Sequence, residues 1–280
     1  MSKRNKYISH TIIFIILFVI AVLFLIPFIW TFLTSIKTDK DIYVANLKLL
    51  PSTVTLLQYE RVYSQMGSFV KFFMNSVIVS FWSVLLIIIF STTMGYSFSK
   101  IEYRGKNIFF AFILLVLTIP YVIYLVPIYI MEMKLSLIDN LTGLVLPYVA
   151  LNLPLSVFIM RSQFNSVPNA LGEAARIDGC TQWQVFMRIM LPVVKPGIAT
   201  VIIYAFINVW GEFTFSRTLT VTPKAQTLPV GITFLRDQAA SFQYGPLCAT
   251  IVLSLIPVLI VFMFMQRYLI KGIMAGAIKG

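Results

Sequence analysis

The segment INVWGEF, Ile207–Phe213, places Asn208, Trp210 and Glu212 in an otherwise apolar run. An amide, an indole and a carboxylate in this spacing can hydrogen-bond and stack. Carbohydrate suits such a lining, because neutral sugars need Asn or Glu for their hydroxyls and aromatic faces for stacking. Asn152, between Pro147 and Pro154, is a weaker member of the same set. On a helix that starts at Gly197, Glu212 lies about 22 Å along the axis, in the outer half of a bilayer. A carboxylate facing lipid at mid-depth costs about 2.5–3.5 kcal/mol, so Glu212 should face a wet interior or a partner. Asn208 and Glu212 share a face at i, i+4, and Trp210 points elsewhere. Two readings stay open: a polar lining for a path, or a Glu212 that pairs with Arg217 or marks a helix end.

Other chemistry is missing. The chain has no G-x-x-x-x-G-K-[ST] phosphate loop. Its one histidine, His10, falls at the start of an apolar span and reads as interfacial. There is no pattern of intramembrane carboxylates and histidines of the kind proton-coupled carriers use. Catalytic, cofactor-binding and metal-binding residues are therefore all read as none. An intramembrane enzyme is the reading this disfavours most. Cys180 falls in a connecting loop and Cys248 in a span, so no disulfide is expected. Active transport by this chain would need an energised partner.

The elements that must position these residues are membrane spans. Of 280 residues, 59% are hydrophobic and only 11% charged, and the charges cluster between long uncharged runs. Six spans follow: Thr11–Leu33, one within Phe72–Ser99, one within Asn107–Met131, Asn140–Met160, Gly197–Ser216 and one within Ala239–Gln266. The first is too long for a signal-peptide core and lacks a cleavage site, so it reads as an uncleaved anchor. The fourth contains Pro147 and Pro154 and is expected to bend. The net charge of +12 needs no nucleic acid, because basic residues flank spans as topology determinants. Lys3, Arg4, Lys6, Lys100, Arg104, Lys106, Arg161, Arg176, Arg188, Lys195, Arg267, Lys271 and Lys279 fall on one side. Only Glu102, Glu173 and Asp178 offset them. The positive-inside rule then puts both termini and the 166–192 loop in the cytoplasm of a multi-pass protein of the cell membrane. Two outer loops, 34–70 and 218–245, are either lids or receivers of a delivering protein. The chain divides into 1–70 (first span and outer loop), 71–267 (a five-helix core) and 268–280 (a cytoplasmic tail).

The longest cytoplasmic loop, Ser166–Pro192, reads as two short helices. Ser166 can cap the first, Pro168 suits its first turn, and Asn169–Ile177 supplies good helix formers. Gly179 stands where a left-handed residue is wanted. Thr181 can cap a second helix, Gln182–Ile189, which Pro192 and Pro196 should stop. Such a helix-turn-helix could lie on the lipid surface through Arg176 and Arg188. The spacing offers another reading. Glu173-Ala174-Ala175, then Gly179, then Ile189, Leu191 and Pro192 resemble the EAA loop of ABC-importer permease subunits, matching all its fixed positions. In that family the loop is a coupling helix that docks in a cleft of a separate ATPase. The resemblance thus implies ATPase-coupling roles for Glu173, Ala174, Ala175, Gly179, Ile189, Leu191 and Pro192, and Ile177 joins them because it shares a face with Glu173 at i, i+4.

The likeness runs from Lys71 to Gly280, and covers Met1–Val70 in outline. Tyr96–Phe110 resembles a cytoplasmic turn of the carbohydrate-uptake branch, and Val116–Asn140 resembles its third span and following loop. INVWGEF is similar to its W-N-[DE]-F segment. Gly211 stands where Asn is usual, so no sugar contact is carried over to position 211. Gln266–Gly280 looks like the ending of the maltose/multiple-sugar type. Its small residues Ala275, Gly276, Ala277 and Gly280 either lie against the ATPase or form a disordered basic end. The resemblance implies an all-α integral membrane protein of the type I importer class, with six transmembrane helices and a cytoplasmic coupling loop. It also implies a second homologous permease, two ATPase subunits that bind ATP and Mg, an external solute-binding protein and a carbohydrate cargo. A path through Asn152, Asn208, Trp210 and Glu212 would carry it. A peptide, amino acid or phosphate cargo is the alternative.

Overall fold

The computed structural model describes residues 3–44, 48–237 and 244–277, with side chains placed over 11–44, 48–64, 67–234 and 244–268. Among the described residues every regular element is helical. The first part of the chain holds α1 (Lys3–Ser35), α2 (Asp39–Ile42), α3 (Leu57–Met66) and α4 (Phe69–Lys100). Then come α5 (Lys106–Leu115), two 3₁₀ turns at Val116–Thr118 and Tyr121–Tyr124, and α6 (Leu125–Lys134). The long α7 (Leu141–Asn165) leads into α8 (Asn169–Ile177) and α9 (Gln182–Gln184). A π-helical stretch, Val185–Met190, follows with α10 (Leu191–Val193) and α11 (Lys195–Trp210). The last elements are α12 (Thr214–Leu219), α13 (Leu228–Asp237) and α14 (Tyr244–Ala277). Lys279 and Gly280, and the Ala239 start proposed for the last span, lie outside the described residues. So do the side chains of His10, Ala275 and Ala277.

Four helical stretches are long and apolar enough to cross a membrane: Thr11–Ser35, Phe69–Lys100, Leu141–Asn165 and Tyr244–Tyr268. Two bent pairs bring the number to six if each counts as one span. The bends are not where prolines alone place them. The Asn107–Met131 span is broken by 96° between Thr118 and Tyr121. There Pro120 pushes Ile119 to φ −95°, ψ 124°, out of the helical region. The fourth span, expected to bend, is one helix through both Pro147 and Pro154. Each proline removes only one backbone bond, and dense packing holds the helix on either side. Asn140 caps α7 by accepting from the Thr142 N–H at 3.0 Å.

The chain divides into two compact units: residues up to Phe69 with Ile232–Leu255, and Val70–Gly231 with Ile256–Gly280. In the first, the Arg61 guanidinium meets Asp39 through 2.7 Å contacts to both carboxylate oxygens. Gln58 donates to the Lys37 carbonyl at 3.0 Å and to Asp39 at 3.1 Å. Lys37 and Asp39 are thus clipped to α3 by polar contacts. In the second unit, Ile87, Leu144, Tyr148, Met160, Phe164, Val201 and Phe215 form a buried core between α4, α7, α11 and α12. Helices α4 and α7 touch at Gly95, where an added Cβ would stand 2.6 Å from Met160 Cβ. Small residues permit this approach, which membrane helices need because lipid supplies no hydrophobic drive between them.

Candidate functional site

A cavity of about 480 Å³ opens in the second unit among α7, α11 and α12. Asn152, Asn208 and Glu212 line it together with Tyr121, Tyr148 and Tyr204. Trp210 does not. Its ring is buried against Phe206 (5.6 Å, stacked) and Phe73 (5.7 Å, edge-on), so it packs against aromatic neighbours away from this cavity. Asn152 and Asn208 each donate to the carbonyl one turn back, Tyr148 and Tyr204, at 2.8 Å. Neither amide oxygen takes a donor among the described residues, so both can accept from a solute hydroxyl. The tyrosines were missed from sequence, although a signal was present. Tyr148 and Asn152, like Tyr204 and Asn208, stand four apart and share a helix face.

Glu212 is placed differently from the sequence expectation. The helix ends at Trp210, short of the expected Ser216, and Glu212 caps the next one. Its Oε1 accepts from the Phe215 N–H at 2.9 Å and its Oε2 from the Ser216 N–H at 3.1 Å. The Tyr148 hydroxyl completes the set at 2.6 Å. The carboxylate therefore sits at the positive end of α12, where orphan N–H groups attract it. Of the readings left open, the helix-end mark describes its bonding; among the described residues it has no ion pair to Arg217. It still forms part of the cavity wall.

The second feature is the 166–192 loop. Ser166 ends α7 instead of starting α8, its hydroxyl donating to Gln163 O at 2.8 Å, and Pro168 precedes the first helical residue. Gly179 has φ +85°. The N–H of Gly179 bonds Arg176 O (3.0 Å) and that of Cys180 bonds Ala175 O (2.9 Å), the paired contacts of a Schellman ending. Thr181 and Gln184 form a reciprocal capping box. The helix it opens does not stop at Pro192. Pro192 lacks an N–H for the Arg188 carbonyl, and the turn ahead of it widens into the π stretch. The chain bends by 75° only at Val194, after which Pro196 sits harmlessly in the first turn of α11.

This loop is fixed on one face and bare on the other. Ala175, Val185, Phe186 and Met190 are buried against Tyr96 and Phe164. Lys100, at the end of α4, donates to the Val167 carbonyl (2.6 Å) and Asn169 Oδ1 (2.7 Å), and Gln182 donates to Tyr96 (2.8 Å). Glu173, Ala174, Gly179 and Pro192 are exposed, Ile189 and Leu191 are half-buried, and Ile177 is 87% exposed. Ile177 is thus the barest large apolar side chain of the loop, on a helix whose other face is packed.

Residues 87–274 match the family described as "Binding-protein-dependent transport system inner membrane component". The chain belongs to that family. It is a membrane protein of ABC-importer permease type, and the family is one of transporters, not enzymes. A relative over the full length of both chains is the arabinooligosaccharides transport system permease protein AraQ of Halalkalibacterium halodurans, 32% identical. The sulfoquinovosyl glycerol transport system permease protein SmoH of Agrobacterium fabrum is 33% identical over 91% of this permease and 89% of its own length. The crystal structure of a bacterial ABC transporter involved in the import of the acidic polysaccharide alginate contains a chain of the same fold. It superposes with a TM-score of 0.81 at 24% identity, covering 96% of this permease and 99% of that chain.

Proposed function

We propose that this permease carries a sugar or oligosaccharide inward, and that the 166–192 knob couples it to an ATPase. The observation that carries the coupling is Ile177, bare on a helix whose other face is locked into the core. In this reading the knob lies on the cytoplasmic side with both termini, as the distribution of Lys and Arg supports. ATP and Mg are bound by the partner ATPase subunits. When those subunits close they displace α8; Lys100 and Gln182 pass the movement to α4, and the Phe164–Phe186 contact passes it to α7, as rigid bodies. Glu173 is exposed beside Ile177 and supplies charge at the same contact. A second homologous permease completes the path, and an external solute-binding protein loads it. The catalytic step, nucleotide hydrolysis, belongs to the partner.

The cargo reading rests on the cavity. Two amide oxygens and three tyrosines are groups that accept hydroxyl protons and stack on sugar rings. The transport names of AraQ and SmoH support the same class. The test is the reconstituted complex in proteoliposomes with its binding protein, assayed against oligosaccharides, amino acids, peptides and phosphate. Stimulation of ATP hydrolysis and uptake by a saccharide alone is expected. Stimulation by a peptide, an amino acid or phosphate, with none by any saccharide, overturns the cargo assignment.

A further inference from the structure

A second cavity, of about 200 Å³, lies at the end of the first span, wholly within the unit that joins residues up to Phe69 to Ile232–Leu255. Trp30, Thr34 and Lys37 line it from the last turns of α1 and just beyond, with Asp41 and Lys48 opposite. Lys37 is 2% exposed. Its ammonium lies 4.9 Å from the centre of the Trp30 ring and donates to the Lys48 carbonyl. Among the described residues no carboxylate comes within ion-pair distance of it.

The one carboxylate in the wall is already engaged. Asp41 Oδ2 accepts from the Ser52 N–H at 2.8 Å, and Oδ1 accepts from the Ser52 hydroxyl at 2.8 Å and from Lys48 at 3.3 Å. Two ammonium groups thus face one carboxylate, which is matched by Lys48. Lys37 has a carbonyl and an aromatic face beside it but, among the described residues, no carboxylate within ion-pair distance, an arrangement with room for an anion. Thr34 points the same way. A helical threonine commonly bonds the carbonyl one turn back, as Thr31 does to Pro27 at 2.8 Å. Thr34 Oγ1 is buried and makes no such bond. The cavity wall therefore holds an ammonium and, buried beside it, a hydroxyl without a partner among the described residues. These are groups that hold a phosphate oxygen, with Lys acting as a point charge.

We infer that this cavity binds the phosphate of a membrane phospholipid, with its acyl chains laid along α1. Phosphate chemistry follows from Lys37 and Thr34; the lipid source follows from α1. Residues 11–33 of that helix include no buried side chain, so acyl chains have an apolar face to cover that leads directly to the cavity. Trp30 stands where an aromatic anchors at the headgroup level. The surplus positive charge favours an anionic lipid over a zwitterionic one. This inference needs the chain to span a membrane, and is independent of cargo and of the coupling knob.

The test is native mass spectrometry of the intact purified transporter, titrated with phosphatidylglycerol, phosphatidylcholine or inorganic phosphate. Wild type should retain phosphatidylglycerol about tenfold more strongly than Lys37→Met, and Thr34→Val should fall between them. Lys37→Arg, which keeps the charge, should retain it. Should Lys37→Met fail to assemble, the wild-type titration and Thr34→Val still decide. Equal retention of the two lipids by wild type, or equal retention by wild type and Lys37→Met, overturns the proposal. Binding of inorganic phosphate with no retained lipid overturns the lipid source.

Discussion

The Tyr148 hydroxyl donates to Glu212 Oε2 at 2.6 Å, tying the middle of α7 to the break between α11 and α12. Two backbone amides of α12 share the same carboxylate. The carboxylate of the cavity is therefore largely occupied by the protein, while the amide oxygens of Asn152 and Asn208 take no donor among the described residues.

That division predicts opposite phenotypes for neighbouring substitutions. Glu212→Ala strips three donors of their acceptor and should cost about 1–3 kcal/mol of stability. It should therefore lower the amount of permease in the membrane. Asn208→Ala removes only a bond within its own helix and should reduce uptake at normal membrane levels. Immunoblots of membrane fractions beside uptake rates separate the two effects; a Glu212→Ala chain that accumulates normally refutes the capping role.

Ile177→Asp should leave accumulation unchanged, because the side chain touches almost nothing within the chain. Loss of a buried interface anchor costs about 2 kcal/mol or more, so copurification of the ATPase should fall roughly thirtyfold. Undiminished copurification and uptake would remove Ile177 from the contact.

Gly179→Ala meets no neighbour, since nothing lies within 4 Å of an added Cβ, but φ +85° costs an alanine about 1 kcal/mol. Gly179→Pro fixes φ near −65° and should dismantle the turn. Coupled ATPase activity should be reduced in the first variant and abolished in the second, with span insertion intact in both by protease accessibility.

Gly95→Val should prevent accumulation. Its Cβ would press on Met160 and on the Arg161 backbone, where α4 and α7 have no room, and overpacking of this kind costs about 1–3 kcal/mol. Gly95→Ala should give an intermediate level.

Asp139 fastens the 136–140 turn to residues 221–222. It accepts from the Val221 N–H (3.0 Å), the Thr222 N–H (2.9 Å) and the Thr222 hydroxyl (2.6 Å). Burial pushes its pKa up, but these bonds outweigh it and hold the carboxyl below the usual carboxylate value. With the folded value depressed, the stabilisation is present above the unfolded value and is lost as pH falls through the folded one. Asp139→Asn should therefore be less stable than wild type by about 1 kcal/mol near neutral pH. The gap should close only on acidification below the usual carboxylate range, as thermal melts across pH will register.

Much of this protein is legible in its sequence because the rules involved are local. Uncharged runs between Lys and Arg mark spans, since no water inside a bilayer can solvate a charge. Gly179 reads directly as a left-handed residue, because few others take φ +85° without strain. The Thr181 cap follows from a hydroxyl placed ahead of free N–H groups. The spacing from Glu173 to Pro192 identified the loop, since it fixes helix, turn and helix within one short segment.

What the tertiary structure decided depends on neighbours distant in sequence. Pro120 breaks a span while Pro147 and Pro154 do not, although each loses the same backbone bond. Packing around α7 holds the helix together, and the extended Ile119 does not. Trp210 turned into the core, and Glu212 left the helix face it was to share with Asn208, because Phe73, Tyr148 and the α12 amides claimed them. Lys37 carries no mark in sequence beyond following a span. Only the fold buries its charge beside Trp30 without a carboxylate, because burial and pairing are set by which segments meet.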